Sequence, residues 1–246
     1  MGKIIIFGGT FEGRKISEFF AGIGRYVLVS VISQMGAEKL PESEYIKISV
    51  GRKKFSEIKK IIYNAELVID ATHPFAAEVS GNIKRACHSE NIILHRVMRP
   101  EIRIEGALYF GLISEIIDYL NKNDGNALIT TGSKNLAEYT KVKSYQSRLF
   151  IRVLPVPETI DRAKSLGFIN IINGPGDRPC NTEENIFHIK NSKAKFIVAK
   201  ESGAAGGLHE KINAARRIDT IPLILKRPHD IGITLDGLLE KLKEQY

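Results

Sequence analysis

Short apolar runs, rich in β-branched residues, alternate with segments of helical period along almost the whole chain, and this alternation restricts the fold more than any other feature. The first run, Ile4-Ile5-Ile6-Phe7, follows directly on Met1-Gly2-Lys3. Further strand candidates in the first part lie at residues 26–32, 45–49, 67–70 and 92–96, after one at 3–7. Continuous apolar strands joined by helices are buried on both faces, the pattern of a parallel sheet covered by helices. Residues 12–22 place Ile16, Phe19 and Phe20 on one face at i, i+3, i+4 spacing, as a helix packed on such a sheet requires.

A proline and charges interrupt the rhythm at Met98-Arg99-Pro100-Glu101-Ile102, as a linker does. It then resumes. Ile113, Ile116, Ile117 and Leu120 share one helical face, and strand candidates follow at residues 127–129, 149–154, 168–172, 196–199 and 222–225. A last helix carries Leu235, Leu238, Leu239 and Leu242, with Thr234 in the N-cap position. The expectation is an α/β protein of two Rossmann/flavodoxin-like domains, each a parallel sheet flanked by helices. Residues 1–98 form the nucleotide-binding domain and residues 99–246 the second, with a ligand cleft between them or at the carboxyl ends of the strands. No sequence repeat relates the halves.

Composition removes several function classes. A hydrophobic share of 43% over 246 residues is that of an ordinary globular protein. No apolar run reaches membrane-spanning length, and the N-terminus reads as a strand rather than a signal peptide. Cys87 and Cys180 are too few for a disulfide framework and lack metal-ligand spacing, so plain thiols in a reducing cytoplasm and no metal site are expected. The net charge of +8 is spread over scattered residues, as in Gly51-Arg52-Lys53-Lys54 and Ala214-Ala215-Arg216-Arg217. Without a basic tail, zinc-finger spacing or aromatic RNP-type motif, nucleic acid is not an expected partner. Solvated surface charge and the focusing of a polyanionic small molecule both account for the balance. A monomer is the expected state.

The strongest local signal is Gly8-Gly9-Thr10-Phe11-Glu12-Gly13-Arg14, directly after the first strand and opening a helix. Glycines there let backbone N–H groups approach a phosphate, the helix N-terminus adds partial positive charge, and Arg14 can pair with an anion bidentately. Thr10 replaces the second glycine of a G-x-G-x-x-G fingerprint, and Arg14-Lys15 replaces the Lys-Ser/Thr of a P-loop. The turn therefore reads either as a nucleotide phosphate site or as a tight strand-to-helix connection that binds nothing. At the end of the second strand, Ser33-Gln34-Met35-Gly36 offers no carboxylate for a ribose, which favours a 2′-phosphorylated nucleotide.

After the fourth strand comes Asp70-Ala71-Thr72-His73-Pro74-Phe75-Ala76. His73 is the best candidate for a group titrating near neutral pH, read as a ligand contact, a catalytic group or a local hydrogen-bond partner. Pro74 holds Thr72-His73 extended and suits the start of the next helix. In the second half, Thr130-Thr131-Gly132-Ser133-Lys134-Asn135-Leu136 and Lys200-Glu201-Ser202-Gly203-Ala204-Ala205-Gly206-Gly207, with Lys211 a turn onward, are two further polar turns at strand ends. Together they suit a large anionic ligand held from several sides.

At these residues the chain resembles the precorrin-6A reductase family. The resemblance rests on Gly8-Gly9-Thr10 with Glu12 and Arg14, the string from Asp70 to Ala76, Thr131-Gly132 with Lys134-Asn135-Leu136, and Lys200-Glu201-Ser202-Gly203 with Gly206-Gly207 and Lys211. Ala214-Ala215-Arg216 and Arg227-Pro228 match as well. The chain departs from the family pattern at Gly174-Pro175-Gly176-Asp177-Arg178-Pro179-Cys180, where a Gly-Pro-Phe-Ser-like turn is expected.

The resemblance implies two Rossmann- or flavodoxin-like domains with the macrocycle between them. It also implies hydride transfer from NADPH or NADH to a ring double bond of precorrin-6A or cobalt-precorrin-6A, giving the 6B form in cobalamin biosynthesis. On that reading Gly8, Gly9, Thr10, Glu12, Gly13, Arg14, Ser33 and Thr72 serve the nucleotide. Thr131, Gly132, Lys134, Lys200, Ser202, Gly203 and Lys211 meet the anionic tetrapyrrole. His73 lies at the reacting edge and is the candidate proton donor, with bound water as the alternative. Two other classes stay open: a short-chain-type oxidoreductase or epimerase, which needs a Tyr-x-x-x-Lys pair that Tyr139-Thr140-Lys141 and Tyr145 do not supply, and a dinucleotide-sensing regulator without turnover.

Overall fold

The computed structural model describes residues 2–101, 103–203 and 206–246. Ile102 of the interrupting segment and Ala204 and Ala205 of the third polar turn lie outside the described residues. The chain divides into two compact units, Met1–Pro100 with Pro228–Tyr246, and Glu101–Arg227. In the first come β1 (Lys3–Phe7), α1 (Phe11–Gly22), β2 (Val27–Val31), α2 (Gln34–Ala37), β3 (Ile46–Val50), α3 (Phe55–Ile62), β4 (Ala65–Asp70), α4 (Ala77–Ser89) and β5 (Ile93–Met98). The second holds β6 (Leu108–Phe110), α5 (Ile113–Lys122), β7 (Asn126–Ile129), α6 (Leu136–Tyr139), α7 (Tyr145–Arg148), β8 (Leu149–Val153), α8 (Pro157–Ser165), β9 (Asn170–Asn173), α9 (Thr182–Ser192), β10 (Ala194–Lys200), α10 (Leu208–Arg217) and β11 (Ile221–Leu225). The chain then returns to the first unit with β12 (Ile233–Thr234) and α11 (Leu235–Gln245).

The first unit is built on a parallel six-stranded sheet in the order β12-β5-β4-β1-β2-β3. Alternate residues of β1 serve opposite faces, as the two-residue period of a strand dictates. Ile4 and Ile6 pack with Ile16 and Phe20 of α1 and Leu238 and Leu242 of α11, whereas Ile5 and Phe7 pack with Ile58, Ile62, Ile83 and Ala86 of α3 and α4. The order reverses between β1 and β4, and a crevice at the carboxyl end of that pair is where such sheets take ligands.

Residues 99–246 do not all form the second domain as expected, because residues 228–246 pack with the first unit. Leu238 and Leu242 are fully buried in the core of the first unit, Ile233 pairs with Val97, and Tyr246 stacks edge-on against Phe20 at 5.6 Å. The apolar stripe of α11 is legible locally; which sheet it covers depends on pairing that chain order does not encode. Helix α4 starts at Ala77 and not, as expected, at Pro74. Residues 73–76 turn first, with the Ala76 N–H donating to the His73 carbonyl at 2.8 Å.

The second unit repeats the design, with parallel strands ordered β6-β11-β10-β7-β8-β9 and a reversal between β7 and β10. Leu128, Ile197, Ala214 and Ala215 form part of its core, and Ile113, Ile116, Ile117 and Leu120 are buried as their spacing requires. Among the described residues no helix is long and apolar enough to cross a membrane, and no group of three His, Cys, Asp or Glu residues is placed to hold a metal ion.

Candidate active site

The glycine turn sits where β1 meets α1. Thr10 caps the helix, its Oγ1 accepting from the Gly13 N–H at 3.1 Å and donating to the Ala71 carbonyl at 2.7 Å. One hydroxyl thus ties the turn after β1 to the turn after β4 across the reversal point. Gly9 has φ +90, a backbone conformation that favours glycine, and a Cβ at Gly13 would stand 2.9 Å from the Gly8 Cα. Helix and strand therefore approach more closely than any side chain there allows.

Glu12 and Arg14 are placed less simply than their motif suggested. Glu12 is buried and bound at both oxygens by Arg99, at 2.7 and 2.8 Å. Burial pulls its carboxyl upward, but the Arg99 hydrogen bonds and charge outweigh that and hold it below the ordinary carboxylate value. The carboxylate is committed to Arg99, so Glu12 reaches a ligand only through the groups it positions. Arg14 lies along its own helix, 3.5 Å from Glu18 and with its guanidinium over the Phe11 ring. Ser33 caps α2, its Oγ accepting from the Gly36 N–H at 3.3 Å, beside the glycine turn.

Beyond β4 stands a polar network that the motif only hinted at. Asp70 is 1% exposed, and its Oδ1 accepts from the Thr72 N–H (3.0 Å), the Thr72 hydroxyl (2.7 Å) and Arg96 Nη1 (3.1 Å). Since Thr72 donates to the carboxylate, the Ser80 hydroxyl at 2.9 Å donates to Thr72. Arg96 is the register partner of Asp70 on β5, and its Nε donates to Asp230 at 2.8 Å. His73 Nδ1 accepts from the Phe75 N–H at 3.2 Å. The ring proton of the neutral imidazole is therefore on Nε2. Pro74, Ser80, Lys84, His95 and His229 line a cavity of about 550 Å³ beside this network. Burial, and then the charge of Lys241, lower the pKa of His95.

In the second unit, the turns after β7 and β10 lie on neighbouring strands at the reversal point. They bring together Thr131, Gly132 and Lys134 with Lys200, Ser202 and Gly203. Burial lowers the pKa of Lys200 and the charge of Lys134 lowers it further, so two cations share one neighbourhood. Gly132 has φ +79. Thr131 is buried and donates to Tyr139 Oη at 3.3 Å. That tyrosine is fully buried with its phenol pushed upward by desolvation, and Tyr145 donates to the Leu166 carbonyl at 3.0 Å, which leaves neither for a proton relay of the short-chain type. Lys211 is buried, its Nζ donating to the Gly206 and Gly207 carbonyls at 3.0 and 2.9 Å.

Sequence reasoning did not single out Ser80, Arg96, Arg99 or Asp230. A usable signal existed for Arg96: an acid ending a buried strand demands a cation, and an arginine ends the next strand candidate at the same height.

The model of the precorrin-6x reductase CbiJ/CobK family matches residues 3–243. The cobalt-precorrin-6A reductase of Salmonella typhimurium is 28% identical over 97% of this chain and 92% of its own length. That of Methanothermobacter thermautotrophicus is 26% identical over 96% and 78%. The precorrin-6A reductase of Rhodobacter capsulatus is 24% identical over 97% and 95%. In fold, the chain is similar to a solved CobK precorrin-6A reductase, with a TM-score of 0.79, 20% identity and coverage of 99% and 97%. A match that begins in the first strand and ends in the last helix takes in both units, and the chain belongs to the precorrin-6x reductase family.

Proposed function

We propose that this enzyme reduces one ring double bond of precorrin-6A, with or without cobalt, by hydride transfer from NADPH in cobalamin biosynthesis. The observation that carries the reading is the match to a reductase family over residues 3–243. A reduced nicotinamide supplies the hydride, and the protein binds, orients and excludes water.

The glycine turn fits a dinucleotide pyrophosphate. Gly9 is exposed, Gly13 leaves no room for a side chain, and the N-terminus of the 12-residue α1 stands beside them. Gly8, Gly9, Thr10 and Gly13 cradle that group, with Arg14 on the first turn of the helix and Glu12 acting through Arg99. Ser33, in place of a carboxylate, favours NADPH over NADH.

Thr72 and His73 meet the reacting edge. Because Nδ1 of His73 is occupied, the ring donates a hydrogen bond from Nε2 more readily than it delivers a proton, and water supplies the proton. Thr131, Gly132, Lys134, Lys200, Ser202 and Gly203 face the carboxylate arms of the macrocycle, with Lys211 holding the turn at Gly206-Gly207. A basic protein suits such a polyanion.

The test mixes the protein with precorrin-6A or its cobalt form and follows nicotinamide absorbance with NADPH and NADH separately. Oxidation dependent on both protein and macrocycle supports the reading. Nucleotide binding without oxidation in any combination removes it in favour of a sensor.

A further inference from the structure

The second unit contains a cationic cluster whose arginine, Arg152, none of the roles above uses. Arg152 on β8 and Lys211 on α10 are each only 8% exposed. Arg152 Nη1 donates to Asn185 Oδ1 at 2.8 Å and to His188 Nδ1 at 3.3 Å. Among the described residues, its Nε and Nη2 make no hydrogen bond and it forms no ion pair. Lys211 spends two of its donors on backbone carbonyls.

The carboxylates around them are committed or out of contact. Glu184 is half-buried and bound at both oxygens to Arg178, and among the described residues Glu210 leaves Oε2 buried with no hydrogen bond. Burial and the Arg152 charge bring Lys211 down to about 8, and burial followed by the same charge lowers His188. Asn185 and Lys211 also sit near the N-terminal ends of α9 and α10, which add positive potential.

A guanidinium only 8% exposed, with no carboxylate in ion-pair contact, gains from an anion that completes it. The free Nε and Nη2 of Arg152 form the edge of the fork that binds a carboxylate through two parallel hydrogen bonds. The segment from Gly174 to Cys180, where the sequence leaves its family pattern, packs at this place. Gly174 approaches the Arg152 side chain, and Pro179 lies against Gly207 so closely that a Cβ there would stand 2.5 Å from its own Cβ. We propose that Arg152, supported by Lys211, binds one carboxylate arm of the tetrapyrrole. The identity of that carboxylate rests on the reductase reading; the presence of a carboxylate site does not.

The test uses the full chain as wild type, as Arg152→Gln, which keeps a donor for Asn185, and as Arg152→Lys, which restores the charge. Thermal unfolding is followed in succinate and in chloride at matched ionic strength, with succinate as the probe carboxylate. Succinate should raise the wild-type Tm above the chloride value, leave Arg152→Gln unmoved, and act in part on Arg152→Lys. In turnover of cobalt-precorrin-6A, Arg152→Gln should raise the macrocycle KM about tenfold or more with kcat and the NADPH KM unchanged. A wild type that responds to succinate no more than to chloride overturns the site, whether or not the variants fold. So does an Arg152→Gln protein with wild-type macrocycle KM. A wild type that responds to succinate yet turns over no macrocycle refutes the reductase reading and leaves the carboxylate site standing.

Discussion

Replacing Gly13 by alanine tests the glycine turn most sharply. The added Cβ would lie 2.9 Å from the Gly8 Cα and 3.7 Å from the Ala71 Cβ. The first contact is with backbone, so no side chain can rotate to relieve it. Relief requires α1 to move off β1, which loosens Ile16 and Phe20 against Ile4 and Ile6. Overpacking of this kind costs about 1–3 kcal/mol. Gly22, the last residue of the same helix, meets nothing within 4 Å. There alanine should be neutral or should gain up to about 1 kcal/mol through helix propensity and a less disordered unfolded chain. Two glycine-to-alanine changes in one helix are thus expected to have opposite consequences. Urea unfolding measures the stability arm and fluorescence titration of NADPH the binding arm. A displaced α1 spoils the phosphate cradle, so Gly13→Ala should weaken NADPH by about tenfold or more, equivalent to roughly 1.4 kcal/mol, while Gly22→Ala binds as wild type. Equal stability of the two variants, or wild-type NADPH affinity in Gly13→Ala, would refute the close-approach argument.

Thr10→Val removes both the cap on Gly13 and the bond to Ala71, and should cost about 1–2 kcal/mol in denaturant unfolding; an unchanged midpoint would deny the tie between the two turns. Asp70→Asn leaves the buried Arg96 short of one counter-charge and should cost about 3 kcal/mol in the same measurement; a loss within error would show that Asp230 suffices. Lys211 titrates at about 8 when folded against an ordinary value of 10.5, so the unfolded chain holds the proton more tightly. Its penalty is fully felt below pH ~8 and gone above ~10.5, so that stability should climb by up to about 3 kcal/mol across this window. Lys211→Met should flatten that part of the profile, and an identical rise in the variant would assign it elsewhere. His73→Ala should lower kcat/KM for the macrocycle about tenfold and leave NADPH affinity intact, whereas a loss of about a hundredfold or more would make the imidazole the proton donor.

The sheet frameworks were readable because their strands are continuous apolar runs; β1 and the buried face of α5 follow directly from Ile4-Ile5-Ile6-Phe7 and from the spacing of Ile113, Ile116, Ile117 and Leu120. β6 and β12 were not, since three or two residues carry no period, and both exist only because Leu108–Phe110 and Ile233–Thr234 find partners in β11 and β5. The return of α11 to the first unit is likewise a matter of pairing rather than pattern.

In the candidate site, local motifs marked the glycine and polar turns at the strand ends, because glycines and caps leave marks within a few residues. The ion pairs that shape those turns left none. Arg99 reaches Glu12 across 87 positions, and Asp230 reaches Arg96 across 134. Arg152, Asn185 and Lys211 come from three separate elements, and each alone reads as an ordinary polar residue.

Hydride transfer from a nicotinamide to the macrocycle leaves an isotopic signature in the product. The protein is given cobalt-precorrin-6A, or the metal-free form, with NADPH deuterated at the reactive carbon on one face or the other. The reduced macrocycle should carry one deuterium from one of the two labelled nucleotides. A reduced product with no deuterium from either, or no product at all despite bound NADPH, would contradict that transfer.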